Sequence, residues 1–133
     1  MYCYNKNNKY SNQKVTIDGI TFDSKREANR YCELKLLERA GEIIGLKMQV
    51  KYLLIPAQYE TYDRYGKKGQ RLKDGQRLLE KECAYVADFV YQDAHTGELV
   101  VEDVKSEATK KKESYIIKRK LMLSVYGIKI REI

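Results

Sequence analysis

The chain has 133 residues but only one proline, one histidine and three cysteines, and it has no tryptophan. Each scarcity narrows the possibilities. Cys3, Cys32 and Cys83 are odd in number, far apart and never in a C-x-x-C pair. With His95 the sole histidine, too few soft ligands remain for a zinc site. Reduced thiols of this kind fit a cytoplasmic protein. No run approaches the ~20 apolar residues of a membrane helix, and the start, Met1 to Lys6, lacks the apolar centre of a leader segment. Neither a membrane partner nor a small-molecule cofactor is expected. The single proline, Pro56, marks a place where a strand has to end or bend.

Positive charge is plentiful. Lys+Arg number 26 against 19 Asp+Glu, a net +7. Such a balance in a small domain points to a polyanion, most often nucleic acid, bound through phosphate neutralisation. A solvated positive surface fits the same numbers. Twelve tyrosines can stack on bases, although half-buried strand positions account for tyrosines more often. A chain of this length makes one domain. Residues 1–14 are polar and read as a flexible arm, and 15–133 as a single domain.

Local patterns divide that domain. Residues 15–22 alternate around Asp18-Gly19, a hairpin signal. Ser24 and Glu27 form an S-x-x-E capping box, opening a helix that runs past Leu37 and stops near Gly41. Residues 46–59 are strand-like. Residues 61–82 read as a long irregular insertion, glycine-rich and basic, with Lys67, Lys68, Arg71 and Lys73 as candidate nucleic-acid contacts. Residues 83–93 and 98–105 read as an antiparallel pair around a turn that carries an exposed His95. A helix over 110–126 places Tyr115, Ile117, Leu121, Met122, Val125 and Tyr126 on one broad face. Lys118 lies within that face, as a snorkelling lysine or a further nucleic-acid contact. Residues 128–133 alternate as a last strand. The expected class is α/β or α+β: helix, three strands, helix, strand, with a mixed sheet flanked by helices.

The chemistry-bearing residues lie inside the strand runs. Asp88 is set in Tyr85-Val86-Ala87-Asp88-Phe89, and Asp103 and Lys105 follow Val100 and Val101. A charge in a buried strand costs several kcal/mol unless it is paired or holds a metal. Asp103 and Lys105 are two apart and so share a face on a strand. Two carboxylates can bind Mg²⁺, or Mn²⁺, with the Val104 carbonyl and Glu27 completing the set. Lys105 would then contact the attacking water or a phosphate oxygen. Each residue has a plainer reading. Glu27 is also explained as a capping glutamate, and Asp103 with Lys105 as an exposed ion pair on an edge strand. Glu102 points away from Asp103, as a surface or supporting group, unless the register slips by one.

In this order and spacing the residues resemble the PD-(D/E)XK nuclease superfamily, with its restriction-endonuclease-like core. Asp88 stands for the first aspartate and Asp103-Val104-Lys105 for the (D/E)-x-K tripeptide. Glu27 matches the extra acidic residue of several branches, including archaeal-type Holliday junction resolvases. Ala87 replaces the proline of the superfamily's name, and the tripeptide carries aspartate. The stretches at 19–28, 85–89 and 102–106 look like a small family found mainly in phages and prophages of Gram-positive bacteria. The resemblance implies a Mg²⁺-dependent DNA endonuclease in the host cytoplasm. It also implies action on branched DNA in phage recombination, replication or packaging, and a homodimer. Two alternatives stand beside it: a catalytically silent nucleic-acid-binding module on the same fold, and an interaction subunit whose charge is incidental.

Overall fold

The computed structural model describes residues 13–133; the expected arm at 1–14 lies almost wholly outside them, as does Cys3. The elements in chain order are β1 (Val15–Ile17), β2 (Ile20–Phe22), α1 (Lys25–Arg39), β3 (Ile43–Ile55), β4 (Gln58–Tyr65), β5 (Arg71–Glu80), β6 (Cys83–Asp93), β7 (Leu99–Asp103), α2 (Glu107–Lys110), α3 (Glu113–Tyr126) and β8 (Arg131–Glu132). Asp18 and Gly19 turn β1 into β2 with φ of 52° and 76°. Positive φ at both central residues suits the right-handed twist of the flanking strands. Ser24 caps α1 by accepting the Glu27 N–H at 3.1 Å, and Gly41, at φ 78°, lets the chain leave the helix.

The main sheet has the order β3-β6-β7-β8, antiparallel except where β8 runs parallel to β7. The connection from β7 to β8 carries α2 and α3, as a parallel return requires. The domain is therefore mixed α+β, with helix, three strands, helix, strand forming the central layers and β4–β5 inserted after the first strand. Two buried clusters lie on the two sides of the sheet. Tyr31 and Leu34 of α1 pack with Phe89, Tyr91 and Val100. Tyr115 and Met122 of α3 pack with Tyr85, Ala87, Val90 and Val101.

The side-chain alternation slips at one place. Ala87 belongs to the α3-side cluster and Phe89 to the α1-side cluster, although residues two apart on a regular strand share a face. Opposite them, Met48 packs on the α1 side and Val50 on the α3 side. The residues between, Gln49 and Asp88, sit where the ribbon changes phase, and Gln49 has φ 52°.

Three sequence expectations need correction. Residues 61–82 are not irregular: β4 and β5 form an antiparallel ladder running from Gln58–Glu80 to Tyr65–Arg71. Both faces of this ribbon are exposed, so no period-two burial pattern marks it. A separate turn of helix that was not expected, α2, comes first, and the helix expected over 110–126 is α3, which begins only at Glu113. Its buried stripe is also narrower, with Ile117 56% and Val125 50% exposed. Of the alternating 128–133 run, only Arg131 and Glu132 pair, with Glu102 and Asp103.

Candidate active site

Asp88, at the phase change of β6, has its two oxygens committed to different neighbours. Oδ2 accepts the Val104 N–H at 2.9 Å, and Oδ1 accepts Gln49 Nε2 at 3.3 Å. The same Nε2 donates to Glu27 Oε1, also at 3.3 Å. The first turn of α1, the irregular point of β3 and the middle of β6 are thereby tied together. Ser24 accepts from the Glu27 backbone, while the Glu27 carboxylate meets both the Asp23 backbone at the start of α1 and Gln49.

Asp103 ends β7 with 0% exposure. Its Oδ2 accepts the Tyr85 hydroxyl. Lys105 Nζ lies 2.8 Å from Oδ1 but off hydrogen-bond geometry, leaving Oδ1 buried without a hydrogen-bond partner. Burial, and then the neighbouring Asp88 carboxyl, push Asp103 up to about 7 from an ordinary 3.8. Burial and then Asp88 and Asp23 raise Glu27 as well. Burial opposes the charge on Lys105, but Asp103, Asp88 and Glu27 outweigh it, and the ammonium is held more firmly than usual. Tyr85 is pushed far above the ordinary phenol range by burial and by the Asp103 carboxylate it serves.

A cleft of about 230 Å³ opens beside this cluster, bordered by Asp23, Glu27, Gln49 and Asp88, with Ile20, Phe22 and Met48 as apolar wall. The β1–β2 hairpin therefore shapes one side of the site. Among the described residues, no three His, Cys, Asp or Glu side chains form a closed set of metal ligands. The donors that are present still suit a hard cation. They are all carboxylate oxygens, one of them (Asp103 Oδ1) is buried without a hydrogen bond, and Mg²⁺ keeps several of its own waters.

The structure brings Glu27, Asp88, Asp103 and Lys105 into one neighbourhood, linked by hydrogen bonds and charge. Val104 joins through its N–H. Lys67, Lys68, Arg71 and Lys73 lie apart, at the β4–β5 tip, and Lys118 is half-buried on α3. Of the two readings for Glu102, a surface or a supporting group, the structure excludes the surface one. Glu102 is 0% exposed and faces α1, where Arg30 Nε and Nη2 donate to its two oxygens at 2.9 and 2.6 Å. Tyr91 donates its hydroxyl to the same carboxylate. Burial and then Glu102 push that phenol up to about 12. Glu102 therefore anchors α1 to the sheet. Sequence reasoning also missed Gln49, Asp23 and Tyr85. Tyr85 carried a usable signal, since it stands two residues before the buried Ala87 in a strand whose charge needs a donor.

Fold and site together define a mixed α+β domain with a buried carboxylate cluster and one lysine at the end of its sheet. The chain belongs to the family described as "Protein of unknown function (DUF1064)", whose model matches residues 7–131. No curated protein and no solved structure matches it.

Proposed function

We propose that this chain is a metal-dependent DNA endonuclease on a restriction-endonuclease-like core. The observation that carries the reading is the meeting of Asp88, Asp103 and Lys105, with Asp103 0% exposed and its Oδ1 facing only the Lys105 ammonium, 2.8 Å away. One lysine against Asp88, Asp103 and Glu27 leaves the cluster with excess negative charge, which a bound cation would balance. The order helix, three strands, helix, strand around the sheet supports the same reading.

Asp88 and Asp103 would hold Mg²⁺ or Mn²⁺, with Glu27 and the Val104 carbonyl assisting. When bound, the ion supplies Lewis acidity and a bound water of lowered pKa. Lys105, charged and tethered to Asp103, donates to the attacking water or to a phosphate oxygen as negative charge develops there. Tyr85 fixes the rotation of the Asp103 carboxylate.

The β4–β5 hairpin supplies the polyanion contact. Residues 64–73 hold Arg64, Lys67, Lys68, Arg71 and Lys73 and no acidic residue. Arg71 is engaged by Asp63 and Asp74 at 3.1 and 2.9 Å, so Lys67, Lys68 and Lys73 are the freer charges. The hairpin packs chiefly on itself. Eight residues of β4 extend it by roughly 25 Å. That independence favours a second reading, a binding module whose hairpin grips DNA without chemistry. Mg²⁺-dependent cleavage of linear, single-stranded, flapped and four-way-junction DNA tests the two. The nuclease reading expects cleavage by the wild type and none by Asp103→Ala, with branched DNA and a homodimer as its finer expectations. DNA binding without cleavage of any substrate, in Mg²⁺ or Mn²⁺, leaves the binding module.

A further inference from the structure

We propose that Gln49 is a positioning residue that brings Glu27 into the metal site. This inference rests on the metal-dependent reading above and adds to it a residue that no motif marks. Three observations converge on Gln49. Its Nε2 donates to Glu27 Oε1 and to Asp88 Oδ1, both at 3.3 Å, so one amide spans two carboxylates from different elements. Its backbone holds φ 52° inside β3, a conformation that side-chain-bearing residues seldom adopt and that persists only where the surroundings impose it. It lies where β3 and β6 change phase, bordering the same cleft as Asp23, Glu27 and Asp88.

The physical consequence follows from charge. Glu27 and Asp88 repel one another, and the Asp23 backbone at the start of α1 competes for the Glu27 carboxylate. The Gln49 amide is a neutral donor between them, holding Glu27 towards Asp88 without neutralising either. A cation arriving in the cleft would then meet Glu27 and Asp88 already held side by side. A regular β3 would direct the side chain at 49 elsewhere, which gives the left-handed backbone a purpose.

Mn²⁺ binding measured by titration calorimetry on the full chain tests this, using the ion alone. Gln49→Gly removes the amide but accepts the positive φ, so the fold is retained and the thermal midpoint stays within a few degrees of wild type. Mn²⁺ affinity should fall about 10- to 100-fold, the usual effect of removing a group that orients a ligand. Glu27→Ala should weaken binding similarly, and the double variant should lose clearly less than the sum of the two single losses, because Gln49 acts in part through Glu27. Gln49→Asn keeps an amide and tolerates the backbone, and should recover part of the affinity. Wild-type affinity in Gln49→Gly, or losses that add in the double variant, would overturn the proposal while leaving the metal site standing. Absence of Mn²⁺ binding by the wild type would overturn both.

Discussion

Replacing Arg30 by methionine removes the hydrogen-bonded cationic partner of a fully buried carboxylate and leaves Arg131 Nη1, 3.9 Å away, as its remaining cation. Glu102 is 0% exposed, and Arg30 retains only 20% of its side-chain exposure, so solvent cannot substitute for the lost guanidinium. Breaking a buried pair from one side costs about 3–5 kcal/mol, because the remaining charge stays desolvated. Tyr91 still donates to Glu102, which places the expected loss near the lower end, about 3 kcal/mol. Against a typical stability of about 5–15 kcal/mol, that is a large fraction. With a urea slope of about 1–3 kcal/mol/M, the unfolding midpoint should drop by roughly 1–3 M. The Arg30–Glu33 contact, at 2.8 Å on the surface, provides the contrast: Glu33→Ala should cost under about 1 kcal/mol. The double variant Arg30→Met with Glu102→Leu removes both charges and should recover most of the loss. Equilibrium urea unfolding, followed by circular dichroism, reads all four proteins. A loss below about 1 kcal/mol in Arg30→Met, or a double variant no more stable than the single, would refute the claim that this pair fastens α1 to the sheet.

Three further outcomes are expected. In metal-free protein, Asp103 is raised from 3.8 to about 7. Its contribution to stability is therefore full below pH ~4 and is lost as pH rises through about 7. Thermal midpoints in chelator should show this decline, and Asp103→Asn should flatten it; an identical pH profile in the variant contradicts the burial argument. Tyr85→Phe removes the donor to Asp103 Oδ2 and should weaken Mg²⁺ binding about 10-fold with secondary structure intact, as read by calorimetry and circular dichroism. Neutralising Lys67, Lys68 and Lys73 together should reduce the slope of log affinity for duplex DNA against log salt by about 3. It should leave the thermal midpoint unchanged, and an unaltered slope would remove the hairpin tip from the DNA-contacting surface.

The sequence made the core layers legible because their signals are strong. Ser24 and Gly41 bound α1, Asp18-Gly19 marks the first turn, and Val100 and Val101 announce a strand buried on both faces. The acidic cluster was legible for the same reason: Asp88 and Asp103 are charges inside apolar runs, and few structures tolerate that without a purpose. The β4–β5 ribbon was not legible, since it is solvated on both faces, shows no period-two burial and carries its lysines and glycines mostly in the turn at 66–69. Glu102 was only half legible: strand alternation correctly turned it away from Asp103, but nothing local showed that Arg30 waits on that opposite face. Gln49 escaped entirely. Its importance comes from a backbone conformation and from two partners 22 and 39 residues distant, neither of which leaves a local pattern. The short α2, capped by Ser106, was missed because a single four-residue turn leaves no periodic apolar pattern.

The most direct test of the central claim is the single-turnover rate of DNA cleavage at saturating Mg²⁺, on the best substrate of the panel, for wild type, Asp103→Asn and Lys105→Met. The account predicts metal-dependent strand scission by the wild type. It also predicts at least a ~10²-fold loss in each variant, with DNA binding retained. Scission that persists at the wild-type rate in both variants, or that is absent from the wild type on every substrate, would contradict it.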